Sequence, residues 1–268
     1  MKTIARLAAA LLLTLASLSN TQAQLSDEEL AKIAQNPLAN LISLPFQNNT
    51  NFGVGPFDRT QNVTNFQPVL PFANGKIITR VVVPFVSQPN ILSETGSSTG
   101  LSDITFSAFY AHGGEGKVSW GVGPIINIPT AAEGLGAGEW GVGPSFVAVI
   151  KPGNWVIGAL VNNVWSVGND KINNFLLQPF INCNLPKGNY LTFSPGITAN
   201  WNADSDDRWT VPLGMGAGKI IRVGRSGLPL NVQAGAYYNV VKPEFTGADW
   251  TLRLGATILL PTAIFKKK

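Results

Sequence analysis

Residues 250–260 read W-T-L-R-L-G-A-T-I-L-L. Trp250, Leu252, Leu254, Ala256, Ile258 and Leu260 share one face of an extended chain, and Thr251, Arg253, Gly255 and Thr257 share the other. Side chains of a strand alternate with a period of two, so this segment has one apolar and one polar face. The same alternation recurs along the chain. For an exported polypeptide built of such strands two architectures fit: a soluble sandwich or barrel with apolar faces inward, or an outer-membrane barrel with them outward.

Export is written at the N-terminus. Lys2 and Arg6 make a positive region, residues 7–18 a short apolar core, and Thr21-Gln22-Ala23 a small-residue cleavage site. Together they predict a signal peptide over residues 1–23, with the mature chain starting at Gln24. The apolar core is shorter than the roughly 18 residues of a spanning helix, and elsewhere Gly, Pro and Asn interrupt every apolar run. Charged residues make up 13% of the chain, against about 25% in soluble domains, which leaves little surface for water. Loss of Lys2 and Arg6 lowers the formal charge from +4 to +2, so nothing argues for nucleic acid. Cys183 stands alone, and the chain has no disulfide framework.

The alternation predicts twelve strands, at 41–48, 62–72, 76–87, 102–111, 117–129, 139–150, 155–167, 174–184, 190–201, 209–221, 228–241 and 249–260. Tight connections at 73–75, 112–116, 151–154, 185–188 and 222–227 are rich in Gly, Asn and Pro. Between them lie mostly longer links at 49–61, 88–101, 130–138, 168–173, 202–208 and 242–248. Short turns at one end and longer loops at the other predict an all-β fold: an antiparallel up-and-down transmembrane barrel of about twelve strands, turns periplasmic and loops outside.

Charge sorts the same way. The turn end and tail carry Lys76, Lys117, Lys151, Lys187, Lys219, Arg222, Arg225 and Lys266 to Lys268 against Glu115. The loop end carries ten carboxylates, from Asp58 to Asp249, against Arg59, Lys171, Arg208 and Lys242. Trp140, Trp165, Trp201, Trp209 and Trp250 fall at the loop end and Trp120 and Trp155 at the turn end, as two interfacial girdles require. WGVGP occurs at 120–124 and again at 140–144, with a weaker copy, FGVGP, at 52–56. Both full copies put their glycines on the inward face, where they leave volume and let the wall curve.

One short helix is predicted at 26–35. Ser26 and Glu29 make a capping box, Leu25 and Leu30 a hydrophobic staple, and Pro37 stops it. Residues 24–39 form a periplasmic or lumenal segment before a barrel over 40–268. The preferred reading of its helix is a leader to the first strand; the others are a pore plug and a helix lying on the membrane surface.

Catalytic chemistry is missing. His112 is the one histidine and lies in a Gly-rich turn without a nucleophile and carboxylate to serve. One His and one Cys make no zinc site. The stretch GMGAGK at 214–219 lacks the Ser or Thr of a phosphate loop and alternates as a strand. Asp204, Asp206 and Asp207 are either a solvated loop, the preferred reading, or a divalent-cation site. No catalytic residue, metal or cofactor is predicted.

The inward set is neutral and hydrogen-bonding, with a few rings and two arginines. The lumen-lining candidates are Arg80, Arg253, Gln178, Asn182, Asn231, Gln233, Tyr237 and Phe109. Such a lining suits small, weakly polar solutes. The two arginines either orient a carboxylate or phenolate or pair with an acidic neighbour. Twelve strands enclose a lumen far narrower than the roughly 16-strand porins, so side chains or the N-terminal segment fill part of it.

Several stretches are similar to a bacterial outer-membrane family of meta-pathway phenol degradation proteins or transporters, some of which carry the label neuromedin U. The carriers are AQNPLANLISLPFQNNTNF from Ala34, TQNVTNFQPVLPF from Thr60, WGVGP twice, NNVWSVG from Asn162, RWTVPLGMGAGK from Arg208 and QAGAYYNVVKP from Gln233. The resemblance covers nearly all of the mature chain. It implies the outer membrane of a Gram-negative bacterium and passage of hydrophobic or aromatic compounds, and it brings no catalytic residues. A departure is the C-terminus, where Phe265 is followed by three lysines rather than ending the chain. Expected partners are outer-membrane lipid and lipopolysaccharide, the outer-membrane assembly machinery and a small hydrophobic or aromatic solute. The competing readings are a structural or surface-binding barrel without an open pore and a membrane-embedded lipid hydrolase.

Overall fold

The computed structural model describes residues 25–113, 116–168, 170–225 and 227–262. The signal peptide, Glu115, Phe265 and the terminal lysines lie outside the described residues. Helix α1 (Asp27–Ala34) precedes the strand segments β1 (Leu41–Val54), β2 (Arg59–Phe66), β3 (Val69–Phe72), β4 (Ile77–Pro89), β5 (Ser97–Leu101), β6 (Ile104–His112), β7 (Val118–Ile128) and β8 (Gly141–Ile150). They continue with β9 (Trp155–Ser166), β10 (Asn173–Asn184), β11 (Asn189–Phe193), β12 (Ile197–Asn200), β13 (Trp209–Val223), β14 (Leu228–Val241) and β15 (Trp250–Pro261).

All pairings among the described residues are antiparallel, each segment pairs with the one or two nearest in sequence, and β15 returns to pair with β1, with Trp250 opposite Phe52 and Leu252 opposite Thr50. The sheet is therefore a closed barrel of twelve staves. Three staves are each made of two segments: β2 with β3, β5 with β6, and β11 with β12. They break at Gln67-Pro68, at Ser102-Asp103 and at Ser194-Pro195-Gly196. Proline cannot donate to a ladder, which accounts for two of the breaks.

The faces point as an outer-membrane barrel demands. Val118, Trp120 and Val122 are exposed, whereas Ser119 and Gly121 between them are buried; Leu252 and Leu254 are exposed on either side of an inward Arg253. At the loop end Trp201 packs edge-on against Trp209, and both meet Phe175, with Arg208 over the Trp201 ring. An apolar exterior with rings at its rims is the surface that lipid solvates best.

Two expected loops are corrected. Residues 49–61 are not a long link: β1 runs on to Val54, residues 55–58 turn, and β2 starts at Arg59. Residues 97–101 within the expected link 88–101 form β5 against β4. The reason in the first case is chemical. Gln47, Asn49 and Asn51 face inward while Asn48 and Thr50 face outward, so both faces are polar and hydrophobic alternation disappears. The outward amides satisfy one another. Asn48 donates to Asn62 Oδ1 and Thr64 Oγ1, both at 2.8 Å, and Thr50 donates to Asn48 Oδ1 at 3.0 Å. An unpaired polar group facing hydrocarbon would cost several kcal/mol, and this ring of bonds avoids that.

The N-terminal segment is docked rather than a free leader. The capping box forms, with Glu29 N–H donating to Ser26 Oγ at 3.2 Å and Ser26 N–H to Glu29 Oε2 at 2.9 Å. Leu30 and Ala31 pack on Tyr190, Ile220 and Leu259 inside the turn-end mouth. Leu38 goes deeper, fully buried among Ile78, Phe109, Val147 and Phe180, a burial that stabilises by about 1.5–3 kcal/mol. Polar ties ring the helix: Arg222 to Asp27 at 2.9 Å, Lys32 Nζ to the Gly153 carbonyl at 3.0 Å, Gln35 to Asn184 at 3.0 Å, and the Lys187 N–H to Glu28. The apolar stripe of α1 is thus covered by the barrel's inner wall.

Candidate functional site

Inside the barrel lie two cavities. The inner one, of about 240 Å³, is floored by residues 33–37 and Ala39 of the N-terminal segment. The outer one, of about 410 Å³, is lined toward the loop end by Asn49, Asn51, Gln61, Thr198, Thr210, Asn239 and residues 246–248. Tyr237 and Arg253 line both. These two side chains form the partition.

Arg253 reaches from β15 across the lumen. Its guanidinium carbon lies 4.7 Å from the centre of the Tyr237 ring. Its Nη1 donates to the Ser194 carbonyl at 2.7 Å, and its Nε donates to Asn49 Oδ1 at 3.1 Å. Ser194 precedes Pro195 in the break between β11 and β12, where the backbone leaves the ladder and its carbonyl is free to accept from the lumen. Arg80 follows the same plan on the other side. It donates to Gln67 Oε1, and Gln67 precedes Pro68 in the break between β2 and β3. Each lumen arginine is held by the residue just before a stave-breaking proline.

The structure places Arg80, Arg253, Gln178, Asn182, Asn231, Gln233, Tyr237 and Phe109 around the inner cavity. Tyr190 joins them, its hydroxyl donating to Asn231 Oδ1 at 2.8 Å. No carboxylate lies among the described lining residues of either cavity. Neither arginine has an acidic neighbour there, which removes the ion-pair alternative for both. Sequence reading missed Asn49 and the Ser194 carbonyl as partners of Arg253, and Asn36-Pro37 as floor. Prolines at 68 and 195 inside predicted strands were the available signal.

His112 ends β6 on the exterior and stacks on Trp120, ring centres 5.5 Å apart. Among the acidic residues of 204–207, Asp207 accepts the Glu244 N–H at 2.7 Å, and no group of three or more His, Cys, Asp or Glu converges among the described residues.

Residues 43–187, more than half of the chain, match the family described as "Putative MetA-pathway of phenol degradation". The chain belongs to this family. No curated protein matches the sequence. Among solved structures, this family member is similar to the "COG4313 outer membrane channel from Pseudomonas putida F1", 16% identical with a TM-score of 0.62 over 83% of this chain and 96% of that one. That likeness shows a shared barrel fold. A calcium-bound outer membrane phospholipase of Salmonella typhi is 11% identical over 86% of this chain and 97% of that one, with a TM-score of 0.44, too loose a likeness to bear on activity.

Proposed function

We propose that this chain is an outer-membrane channel for small, weakly polar compounds, aromatic ones among them. The observation that carries the reading is the pair of cavities within the closed barrel, which meet at Tyr237 and Arg253. A dry cavity of about 150 Å³ holds benzene, and the inner chamber at about 240 Å³ has room for a substituted single ring. Phe109, Phe180, Tyr190 and Tyr237 offer it apolar faces, and amides and hydroxyls fix its polar substituent. The family's description names phenol degradation, and the P. putida structure's title names a channel; both favour this reading.

In this account the signal peptide over residues 1–23 delivers the chain, residues 24–39 are a lumenal segment, and the assembly machinery inserts the barrel. Lipid and lipopolysaccharide cover its exterior. The test is liposome swelling with phenol, benzoate, arabinose and glycine, alongside planar-bilayer recording of the purified mature protein. Faster uptake of the aromatic solutes supports the proposal, and equal exclusion of all four overturns it.

One observation favours a second reading, a barrel without an open pore: α1 and Leu38 fill the turn-end mouth. Deleting residues 25–36 decides between them. Conductance that rises on deletion means a stopper in a channel, and zero conductance with the barrel still folded means a closed structural or surface-binding barrel.

A further inference from the structure

We infer that the inner chamber is a binding site for a small aromatic anion, one ring bearing a carboxylate, whose negative group draws Arg253 off its neutral partners and so joins the two cavities. The inference rests on the channel reading and names the ligand class of the same lumen.

Four observations converge on it. First, two cations and no carboxylate line the chamber among the described residues. A guanidinium inside a barrel is cut off from bulk water, and a charge so placed is costly without a counter-ion. Second, the partners of the arginines among the described residues are neutral: the Gln67 amide for Arg80; the Asn49 amide, the Ser194 carbonyl and the Tyr237 ring for Arg253. Hydrogen bonds between two ionised groups are about twice as strong as neutral ones, and a carboxylate takes a guanidinium through two parallel N–H bonds. An arriving anion therefore outcompetes an amide oxygen and a carbonyl.

Third, the rest of the wall suits an aromatic ring. Phe109, Phe180 and Tyr190 are among its lining residues, and its volume fits one substituted ring rather than two. Fourth, Arg253 borders both cavities, so an anion in the outer cavity meets it before entering the inner one. Apart from Arg253, the outer cavity's lining among the described residues carries no ionised side chain, so it neither repels nor traps a carboxylate before that point. Once Arg253 swings to the anion, the partition is reduced to Tyr237. Arg80, deeper in the same chamber, supplies the next charge along the path.

Neutral phenol gains none of this, because its hydroxyl stays protonated at neutral pH. The inference thus separates aromatic acids from the phenols that the channel reading treats alike.

The experiment is calorimetric titration of the mature protein in detergent micelles with benzoate, phenol, cyclohexanecarboxylate and benzylammonium. It is paired with bilayer recording of reversal potential in a KCl gradient. Benzoate is expected to bind at least about tenfold more tightly than phenol or benzylammonium, the size of one charge-assisted hydrogen bond. Cyclohexanecarboxylate should fall between benzoate and phenol. Arg80→Gln and Arg253→Gln should each cost about tenfold in benzoate affinity and leave phenol unchanged. The reversal potential should show preference for chloride and lose part of it in either variant. Heat-modifiable gel mobility checks that the variants fold; if one does not, Arg80→Lys or Arg253→Lys keeps the charge and should retain benzoate preference. Equal binding of benzoate and phenol, or benzoate binding indifferent to both glutamine changes, overturns the inference. Arginine-dependent benzoate binding without conductance upholds the site and overturns the channel instead; conductance without benzoate preference does the reverse.

Discussion

Arg253 stands directly opposite Gly235 on the neighbouring strand, and its guanidinium lies over the ring of Tyr237, two residues further along. Gly235 has no side chain to occupy the space the guanidinium crosses, and a Cβ there would come within 3.2 Å of the Tyr237 ring. A side chain at position 235 would thus crowd the ring on which Arg253 rests.

Replacing Tyr237 by alanine is expected to fuse the two cavities. The ring contact, worth about 0.5–2 kcal/mol, is lost, and the guanidinium is left on the Asn49 amide and the Ser194 carbonyl. Single-channel conductance should rise above that of the parent. An unchanged conductance would place the narrowest point elsewhere, at the floor made by residues 33–39.

Gly123→Ala and Gly143→Ala are each expected to abolish the folded barrel. A Cβ at Gly123 would sit 1.7 Å from the Ala108 carbonyl oxygen, and one at Gly143 would sit 1.6 Å from that of Asn163. Backbone on a paired strand cannot step aside as a flexible side chain does. These are the second glycines of the two WGVGP copies, so the repeated words mark two equivalent creases in the wall. The first glycine of the first copy does something else, since a Cβ at Gly121 would press on Leu38 at 2.8 Å. Gly121→Val should therefore spare the barrel and displace the N-terminal segment. Heat-modifiable mobility reports the first effect, and protease cleavage near residue 38 the second.

Asp103→Ala should free the loop after β7. The Asp103 carboxylate accepts four backbone N–H groups, from Thr130 at 3.2 Å, Ala131 at 3.1 Å, Ala137 at 2.8 Å and Gly138 at 3.0 Å. Bonds to a charged acceptor contribute about 1.5–3 kcal/mol each when deleted singly, and these four act as a unit. Amide exchange over residues 129–140 should accelerate while the β7 and β8 ladders stay protected. Exchange spreading into those strands would mean that the loop is part of the wall.

Acid should loosen the N-terminal segment. The Glu28 carboxyl is held below its ordinary 4.5 by its own N–H and by that of Lys187, and Glu29 below 4.5 by the N–H and then the hydroxyl of Ser26. A carboxyl whose folded pKa is depressed stabilises the docked form fully above about 4.5 and loses that contribution as the pH falls through the lower folded value. Protease cleavage within residues 25–38 should thus increase below pH 4.5. Glu28→Gln should show increased cleavage already at neutral pH and a flatter acid response. A cleavage rate flat from pH 7 to 3 would show that apolar packing of Leu30 and Leu38 alone seats the segment.

The stave count was legible because an oily face recurs along most of the chain, as at Val118 and Val122 or Leu252 and Leu254, between Gly-, Asn- and Pro-rich turns. What escaped were places where a strand breaks that rule. Gln47 to Asn51 carry amides on both faces, and beyond Asn48 hydropathy cannot tell the strand from a loop; only the pairing with β15 and β2 reveals it. The prolines at 68 and 195 were visible as letters, but that each turns its predecessor's oxygen toward a lumen arginine is a fact of three dimensions. The capping box at Ser26 and Glu29 announced α1, yet its seat is assembled from Asn184, Lys187, Arg222 and Leu259, which no local pattern joins.

That seat has a temporal consequence. Residues 25–38 are the first of the described part of the chain to leave the ribosome, whereas the tie to Arg222 spans 195 positions and that to Lys187 spans 159. The earliest piece to be made has nowhere to lodge until the later hairpins stand beside it. Closure of this barrel's turn-end mouth must therefore come late in its biogenesis, after the hairpins that carry Lys187 and Arg222 have formed.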